Sequence, residues 1–267
     1  MNKPELYIKA NILAQLDADY ILNRNLELLN NDTNCAVLDV GCGPGNVTFD
    51  KILKVLPPST RILLGVDISH PHVEYAKKYY QNDSRISYEQ LDIITDVVPK
   101  EYVDAFDLVL SLHCFQYIGD HQKAFTNIYE MMRLRGELLI AFVGNSLLAE
   151  VYCEISNKPK WKKYMSEVSR SVPPINTSSY YETLLAKIGF EQVKCEVVQR
   201  CKSYSEQEAF DILNACNVYP VPKSEESEFI QDHVDGLMNK GCLSIKPDGK
   251  KHLDYKYDLF IITARKS

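Results

Sequence analysis

The chain has 267 residues, 45% of them hydrophobic and 25% charged, with a net charge of −6. That is enough apolar material for one large α/β domain, or a domain with an insert. It offers neither the basic footprint that nucleic acid demands nor a stretch apolar enough to span a bilayer. Eight cysteines form no Cys-x-x-Cys pair, so no metal is expected. They read as buried free thiols (Cys35, Cys114 and Cys195 lie in apolar runs) of a cytoplasmic protein whose first residues carry no secretory signal.

In chain order, residues 6–29 carry apolar side chains near the 3.6-residue period and predict a helix, ended by the turn cluster 30–34. A first strand over 35–40 leads into Gly41, Gly43 and Gly45, and a helix follows over 48–55. A second strand, 61–66, ends in Asp67. Ser69 and Pro71 then open a helix that runs to Tyr80. A short strand over 86–90 precedes Asp92-Ile93, and 106–112 is nearly continuously apolar, as a buried strand is. A helix over 122–132 and a strand over 136–144 complete five β-α units. Together they imply a doubly wound, mostly parallel sheet.

Beyond Gly144 the rhythm changes. Residues 146–172 predict a helix carrying Trp161, broken by Pro173-Pro174, and 178–188 a second helix closed by Gly189. Strands over 191–204 and 254–265 flank helices at 205–215 and 225–240, the former opening on a Ser205/Glu208 capping box. The two late strands suit an antiparallel edge pair, which makes seven strands. The expected organisation is a single domain: a lid helix in 1–33, a nucleotide-binding core in 34–145, a helical insert in 146–188 and closing elements in 189–267.

The glycine turn identifies the ligand class. Strand, glycine turn and helix start form the nucleotide pocket of open α/β sheets. The register here is Gly41-x-Gly43-x-Gly45, with Asn46 where a dinucleotide site has its third glycine, and no phosphate-cradling Gly-x-x-x-x-Gly-Lys motif exists. Asp39 stands before the glycines, where a carboxylate repels pyrophosphate and favours a cation. S-adenosylmethionine is cationic and free of phosphate.

The run 39–45 resembles motif I of the seven-strand methyltransferases that use S-adenosylmethionine. The resemblance implies cofactor contacts at Asp39, Gly41, Cys42, Gly43 and Gly45. It implies Asp67 and Ile68 at the ribose, Asp92 and Ile93 at the adenine, and Ser111 and Leu112 at the end of the fourth strand. Over most of its length the chain is similar to the insect juvenile hormone acid methyltransferases. That similarity rests on Leu6-Tyr7-x-Lys9-x-Asn11-x-Leu13, Asp67-Ile68-Ser69, Phe125-x-Asn127-Ile128 and the segment from Val151-Tyr152 to Trp161. It is also similar to trans-aconitate methyltransferases after the fourth strand. Both families methylate carboxylates, which implies a role of the kind found in juvenile hormone biosynthesis.

Two departures stand out. The insect family's glutamine follows the Leu13 position directly, whereas here Ala14 stands there and glutamine comes at Gln15. The family's His-Trp after the fourth strand is Gln116-Tyr117 here. A carboxylic acid, with a pKa of about 4 to 5, is ionised at neutral pH and needs no base, only alignment and neutral donors. Gln15, Gln116 and Tyr117 are the expected catalytic set, with Tyr7, Phe115 and Trp161 as further acceptor contacts. The expected partner is a small lipophilic acid such as juvenile hormone acid or farnesoic acid. Two alternatives stay open: a phenol or amine methyltransferase with His113 as its base, or a catalytically silent protein that only binds S-adenosylmethionine.

Overall fold

The computed structural model describes residues 3–30, 35–165, 177–247 and 249–267. Five parallel strands come first: β1 (Ala36–Val40), β2 (Ile62–Asp67), β3 (Ile86–Gln90), β4 (Phe106–Leu112) and β5 (Met132–Ser146). Two 16-residue strands, β6 (Phe190–Ser205) and β8 (Lys251–Lys266), add antiparallel to one edge. The order is β3-β2-β1-β4-β5-β8-β6, with β7 (Cys242–Ile245) paired to the start of β8. Among the described residues the seven expected strands are present and the short β7 is an eighth.

The helices are α1 (Pro4–Ala10), α2 (Ile12–Arg24), α3 (Leu26–Leu29), α4 (Leu53–Val55, continuing a π-helical turn at Thr48–Ile52) and α5 (His70–Tyr79). Then come α6 (His121–Met131), α7 (Leu147–Ser156), α8 (Pro159–Met165), α9 (Ser178–Ile188), α10 (Glu206–Ala215) and α11 (Lys223–Lys240). Every residue of β1 is buried, as a central parallel strand with both faces covered requires. One face packs Leu38, Val109, Ile140 and Ile262 against Phe125, Ile128 and Leu185 of α6 and α9. The other packs Val37, Leu110 and Leu139 against Ile21 and Leu22 of α2 and Val73 of α5. A third apolar cluster lies outside the sheet and joins α7, α8, α10 and α11 through Trp161, Leu213, Phe229 and Val234. Tyr204 and Leu253, from the far ends of β6 and β8, join it. The two long strands thus overrun the sheet and carry a helical cap.

Two expectations are corrected. The single helix over 6–29 is broken at Asn11 (φ −81°, ψ 47°) and Asn25 (φ −117°, ψ 24°). Asparagine competes with the helix for backbone partners, and Asn25 Nδ2 donates to Ile21 O at 2.7 Å. The helix expected over 146–172 is divided between α7 and α8 by Asn157, whose side chain turns back to Cys153 O at 2.9 Å. Its end and the Pro173-Pro174 break lie outside the described residues, as does most of the 30–34 turn. The Ser205/Glu208 capping box forms as read.

Candidate active site

The glycine loop sits at the C-terminal edge of β1 and β2. Gly41 N and Cys42 N donate to Val66 O at 2.7 and 3.0 Å. All three glycines have positive φ, +77°, +55° and +86°, but only one meets open space. A Cβ on Gly41 would strike Cys114 and one on Gly45 would strike Ala76 and Tyr88, whereas one on Gly43 would meet nothing nearer than 3.9 Å. Gly43 is where a ligand can lie against bare backbone. Asp67 accepts from Gly43 N at 2.9 Å and from Ser69 N at 2.8 Å, which ties the loop to the start of α5. Ile68 beside it is 63% exposed. Across the cradle Asp92 is exposed and accepts from Ile94 N at 3.0 Å. An exposed, apolar-edged cradle without Lys or Arg among these residues accommodates a phosphate-free cation.

Some expected contacts lie elsewhere. Ile93 is packed into the core, and Ile94 is the apolar side chain presented beside Asp92. Ser111 is buried with its hydroxyl donating to Val40 O at 2.8 Å, and Leu112 and the Cys42 side chain are packed in the second core. These side chains hold the loop. Sequence reasoning passed over His72 at the start of α5. It is buried, its Nε2 lacks a partner among the described residues, and its ring lies 5.7 Å from that of Tyr7.

Asp39 is buried and accepts from the Thr48 hydroxyl at 2.7 Å. Burial pushes its carboxyl up to about 7, the Thr48 bond opposes this, and the charge of Asp67 adds to it. A cation bound nearby favours the ionised form, so cofactor binding expels the proton Asp39 holds below that value. Affinity for S-adenosylmethionine is therefore expected to rise roughly tenfold per pH unit up to about pH 7 and then level off. Calorimetric titration across pH tests this, and a flat profile would remove Asp39 from the cofactor's electrostatics.

A cavity of about 350 Å³ lies between the sheet edge and the helical cap. Tyr7, His113, Gln116 and Tyr117 line it, as does Asn11, and Tyr7 reaches from it to the glycine loop. Burial raises the Tyr7 hydroxyl well above its usual value, with Cys216 and Asp67 adding to the effect. Desolvation of its hydroxyl end likewise raises Tyr117, although the residue as a whole keeps 37% exposure, and that hydroxyl is bonded to Cys216. Both stay neutral donors. Apart from Ser146 and Cys216, the rest of the wall is apolar or aromatic, including Phe142, Tyr181 and Phe260 from one core and Tyr152, Leu213 and Leu253 from the cap. No Lys or Arg is among the described residues that line it.

Three expected acceptor contacts are not in this wall. Gln15 is turned to Ile8 O at 3.5 Å, because the break at Asn11 resets the helix and points Asn11 inward instead. Phe115 is fully buried under the site, with ring centroids 4.8 Å from Phe125 and 5.9 Å from Phe142. Trp161 is fully buried in the cap, where its Nε1 donates to Asp232 at 2.6 Å. Asn11 is 4% exposed with Nδ2 unpartnered, and Gln116 Oε1 is likewise buried and unpartnered among the described residues. Each is a buried polar group that lacks a protein partner, at a cost of about 1–3 kcal/mol until something fills it.

Beneath the cavity lies a charged cluster. Asp17 of α2 is 0% exposed. It faces His113 Nε2 at 2.9 Å and accepts from the Tyr257 hydroxyl at 2.8 Å and from Arg200 Nε at 3.1 Å. Burial alone would raise Asp17, but His113, Tyr257 and Arg200 outweigh it and hold the carboxyl below its usual value. His113 has a left-handed backbone (φ +58°), and its N–H donates to Ala141 O at 2.8 Å.

Residues 31–189 match the family described as methyltransferase domain. The chain is 29% identical to juvenile hormone acid O-methyltransferase of Drosophila melanogaster, over 100% of this chain and 93% of that one. It is 30% identical to the enzyme of the same name from Bombyx mori, over 88% and 86%. The crystal structure of YcgJ from Bacillus subtilis shares the fold, with a TM-score of 0.62 at 14% identity over 93% and 98% of the two chains. The glycine cradle with its two carboxylates and these matches lead to one conclusion: the chain is an S-adenosylmethionine-dependent methyltransferase, and within that family it belongs with the juvenile hormone acid O-methyltransferases.

Proposed function

We propose that the enzyme methylates the carboxylate of a small lipophilic acid, of the juvenile hormone acid or farnesoic acid type. The observation that carries this reading is the acceptor cavity: apolar along most of its wall, without Lys or Arg among the described residues that line it, and with the unpartnered Nδ2 of Asn11 and the side chain of Gln116 beside the Tyr7 and Tyr117 hydroxyls. An apolar wall takes up a lipophilic chain. Neutral donors orient a carboxylate without the tight ion pair that would quench its nucleophilicity. The relatives named for carboxylate methylation point the same way.

Gly43, Asp67, Ile68 and Asp92 would hold the cofactor, with Asp39 balancing its charge. When bound, S-adenosylmethionine supplies an electrophilic methyl group. The chain's own part is to orient the acid's oxygens through Asn11, Gln116, Tyr7 and Tyr117, and to exclude water with the cap. No base is required, because the acid arrives ionised. The relatives' names therefore disfavour a phenol or amine acceptor with His113 as its base.

A transfer assay with a tritiated methyl donor against farnesoic acid, juvenile hormone acids, medium-chain fatty acids and aconitate tests the reading. Turnover of the long apolar acids is expected, and labelling of none would overturn it. Asn11→Ala removes a hydrogen bond to a charged acceptor. It is expected to raise KM for the acid about 10- to 100-fold and leave cofactor affinity unchanged. An unchanged KM would take Asn11 out of acceptor binding.

A further inference from the structure

The acceptor cavity reaches well past its polar end. Helix α10 lines it with Ala209, Ile212, Leu213 and Cys216. Positions i, i+3, i+4 and i+7 share one helix face, so these four side chains form a single stripe along the cavity. The stripe has a head. The Cys216 thiol is bonded to the Tyr117 hydroxyl and is close to Tyr7, whose hydroxyl it helps to raise. Cys216 therefore marks the end of the cavity where the neutral donors meet the acid. The stripe also has a foot. A helix rises about 1.5 Å per residue, which places Ala209, two turns before Cys216, about 10 Å along the axis from the head. Ala209, Leu237 and Leu253 line the cavity and also belong to the core of the cap, each 3% exposed or less. Leu253 is backed by Gly241, where a Cβ would fall 2.1 Å from its Cδ1, so nothing hollow lies behind that wall. The Ser205/Glu208 capping box pins the first turn of α10 and with it Ala209.

We propose that the α10 stripe is a ruler for the acid's apolar chain and that Ala209 is its stop, which sets the longest acid the enzyme accepts. This rests on the reading of the acceptor as a lipophilic carboxylic acid. With the carboxylate held by Asn11, Gln116, Tyr7 and Tyr117, the chain runs along Ile212 and Leu213 toward Ala209. An extended chain advances about 1.2 Å per bond, as a peptide unit of three bonds does over about 3.6 Å. It therefore covers the distance from Cys216 to Ala209 in about eight or nine bonds. Once the carboxyl group is added, a main chain of about ten to twelve carbons fills the ruler. Alanine suits the stop for two reasons. Its single methyl leaves room for the last carbons of the chain, and it does so without the loss of helix stability that glycine would bring.

Position 209 differs in kind from the rest of the stripe. Ile212 and Leu213 flank the chain between head and foot, so a change at either is felt by every acid long enough to pass it. A change at 209 is felt only by acids that reach it. Selectivity by length is thus separable from general grip on the chain.

Calorimetry on the wild-type enzyme saturated with S-adenosylhomocysteine tests this with straight-chain saturated acids, from hexanoic to hexadecanoic. Affinity should climb about fourfold per added methylene, the worth of burying one. The climb should stop at about ten to twelve carbons. Ala209→Leu lengthens the side chain and should bring the stop about two carbons earlier. In methyl-transfer assays it should lower kcat/KM for farnesoic acid, relative to octanoic acid, about 10- to 100-fold, as crowding of an apolar pocket does. Ala209→Gly should move the stop out by about one carbon. Affinity for S-adenosylmethionine reports whether each variant is folded, and the wild-type series decides the matter if neither is. Affinity that rises unbroken to hexadecanoic acid, or a stop that stays in place in folded A209L, would overturn the ruler and leave the acceptor class intact. Failure of every acid to bind or be methylated would overturn the acceptor reading, and the ruler with it.

Discussion

Asp17→Ala is expected to destabilise the protein by about 3 kcal/mol or more, the loss typical when one partner of a buried charge cluster is removed. The variant leaves Arg200 and the Tyr257 hydroxyl without their acceptor and frees the His113 ring. Arg200 retains 27% side-chain exposure and recovers some hydration, which places the estimate at the lower end of the range. Asp17 is held below its unfolded value. Its contribution is therefore fully present above that unfolded value, about pH 4, and is lost as pH falls through the folded one. Denaturant titration of wild type and variant at neutral and acid pH checks this. The difference should shrink on the acid side, and a variant as stable as wild type at neutral pH would show the cluster to be energetically idle.

Gly41→Ala is expected to abolish measurable cofactor binding, with affinity down more than about 100-fold, because two costs coincide. The backbone at φ +77° disfavours any side chain by about 1–2 kcal/mol. The new Cβ would also lie 2.3 Å from Cys114 Sγ and 2.4 Å from its Cβ, so one of the two loops must move. Cys114 adjoins His113, and the displacement reaches the acceptor cavity as well. Adding Cys114→Gly removes the clash and leaves only the backbone cost, so the double variant should recover most of the affinity. Calorimetry with S-adenosylmethionine separates the two, and wild-type affinity in G41A would mean that the loop adapts freely.

Both variants concern places where sequence legibility divides. The glycine loop, Asp67 and the five β-α units were readable because each signal is local: glycine at alternate positions, an acid at a strand end, an apolar run. Gly43, Asp67 and Asp92 lie along one edge of the sheet, whereas the side chains of Cys42, Ile93, Ser111 and Leu112 pack inward. The Asp17 cluster is different. Its members stand at 17, 113, 200 and 257, and no periodicity links a helix residue near the start to a strand near the end. The acceptor wall was misread for a related reason. Trp161 and Phe115 are large and lie in the right segments, but burial of big aromatics is satisfied equally well by a core, and the core took both. Gln15 was displaced by a single helix break at Asn11, which rotates everything after it. The strand β7 follows directly on α11 and pairs with residues that come after it, leaving it no independent pattern of four residues to show.

The N-terminal helix α1 has a kinetic consequence. It contains no fully buried residue, yet its Tyr7 touches the neighbourhood of Gly43 on one side and lines the acceptor cavity on the other. It is held mainly by Tyr7 and by Lys3, whose Nζ meets Asn214 at 2.7 Å and Glu226 at 2.6 Å, a small set of anchors for a segment to be released from. A displacement of α1 would unseal both chambers together, so neither ligand would have a private doorway.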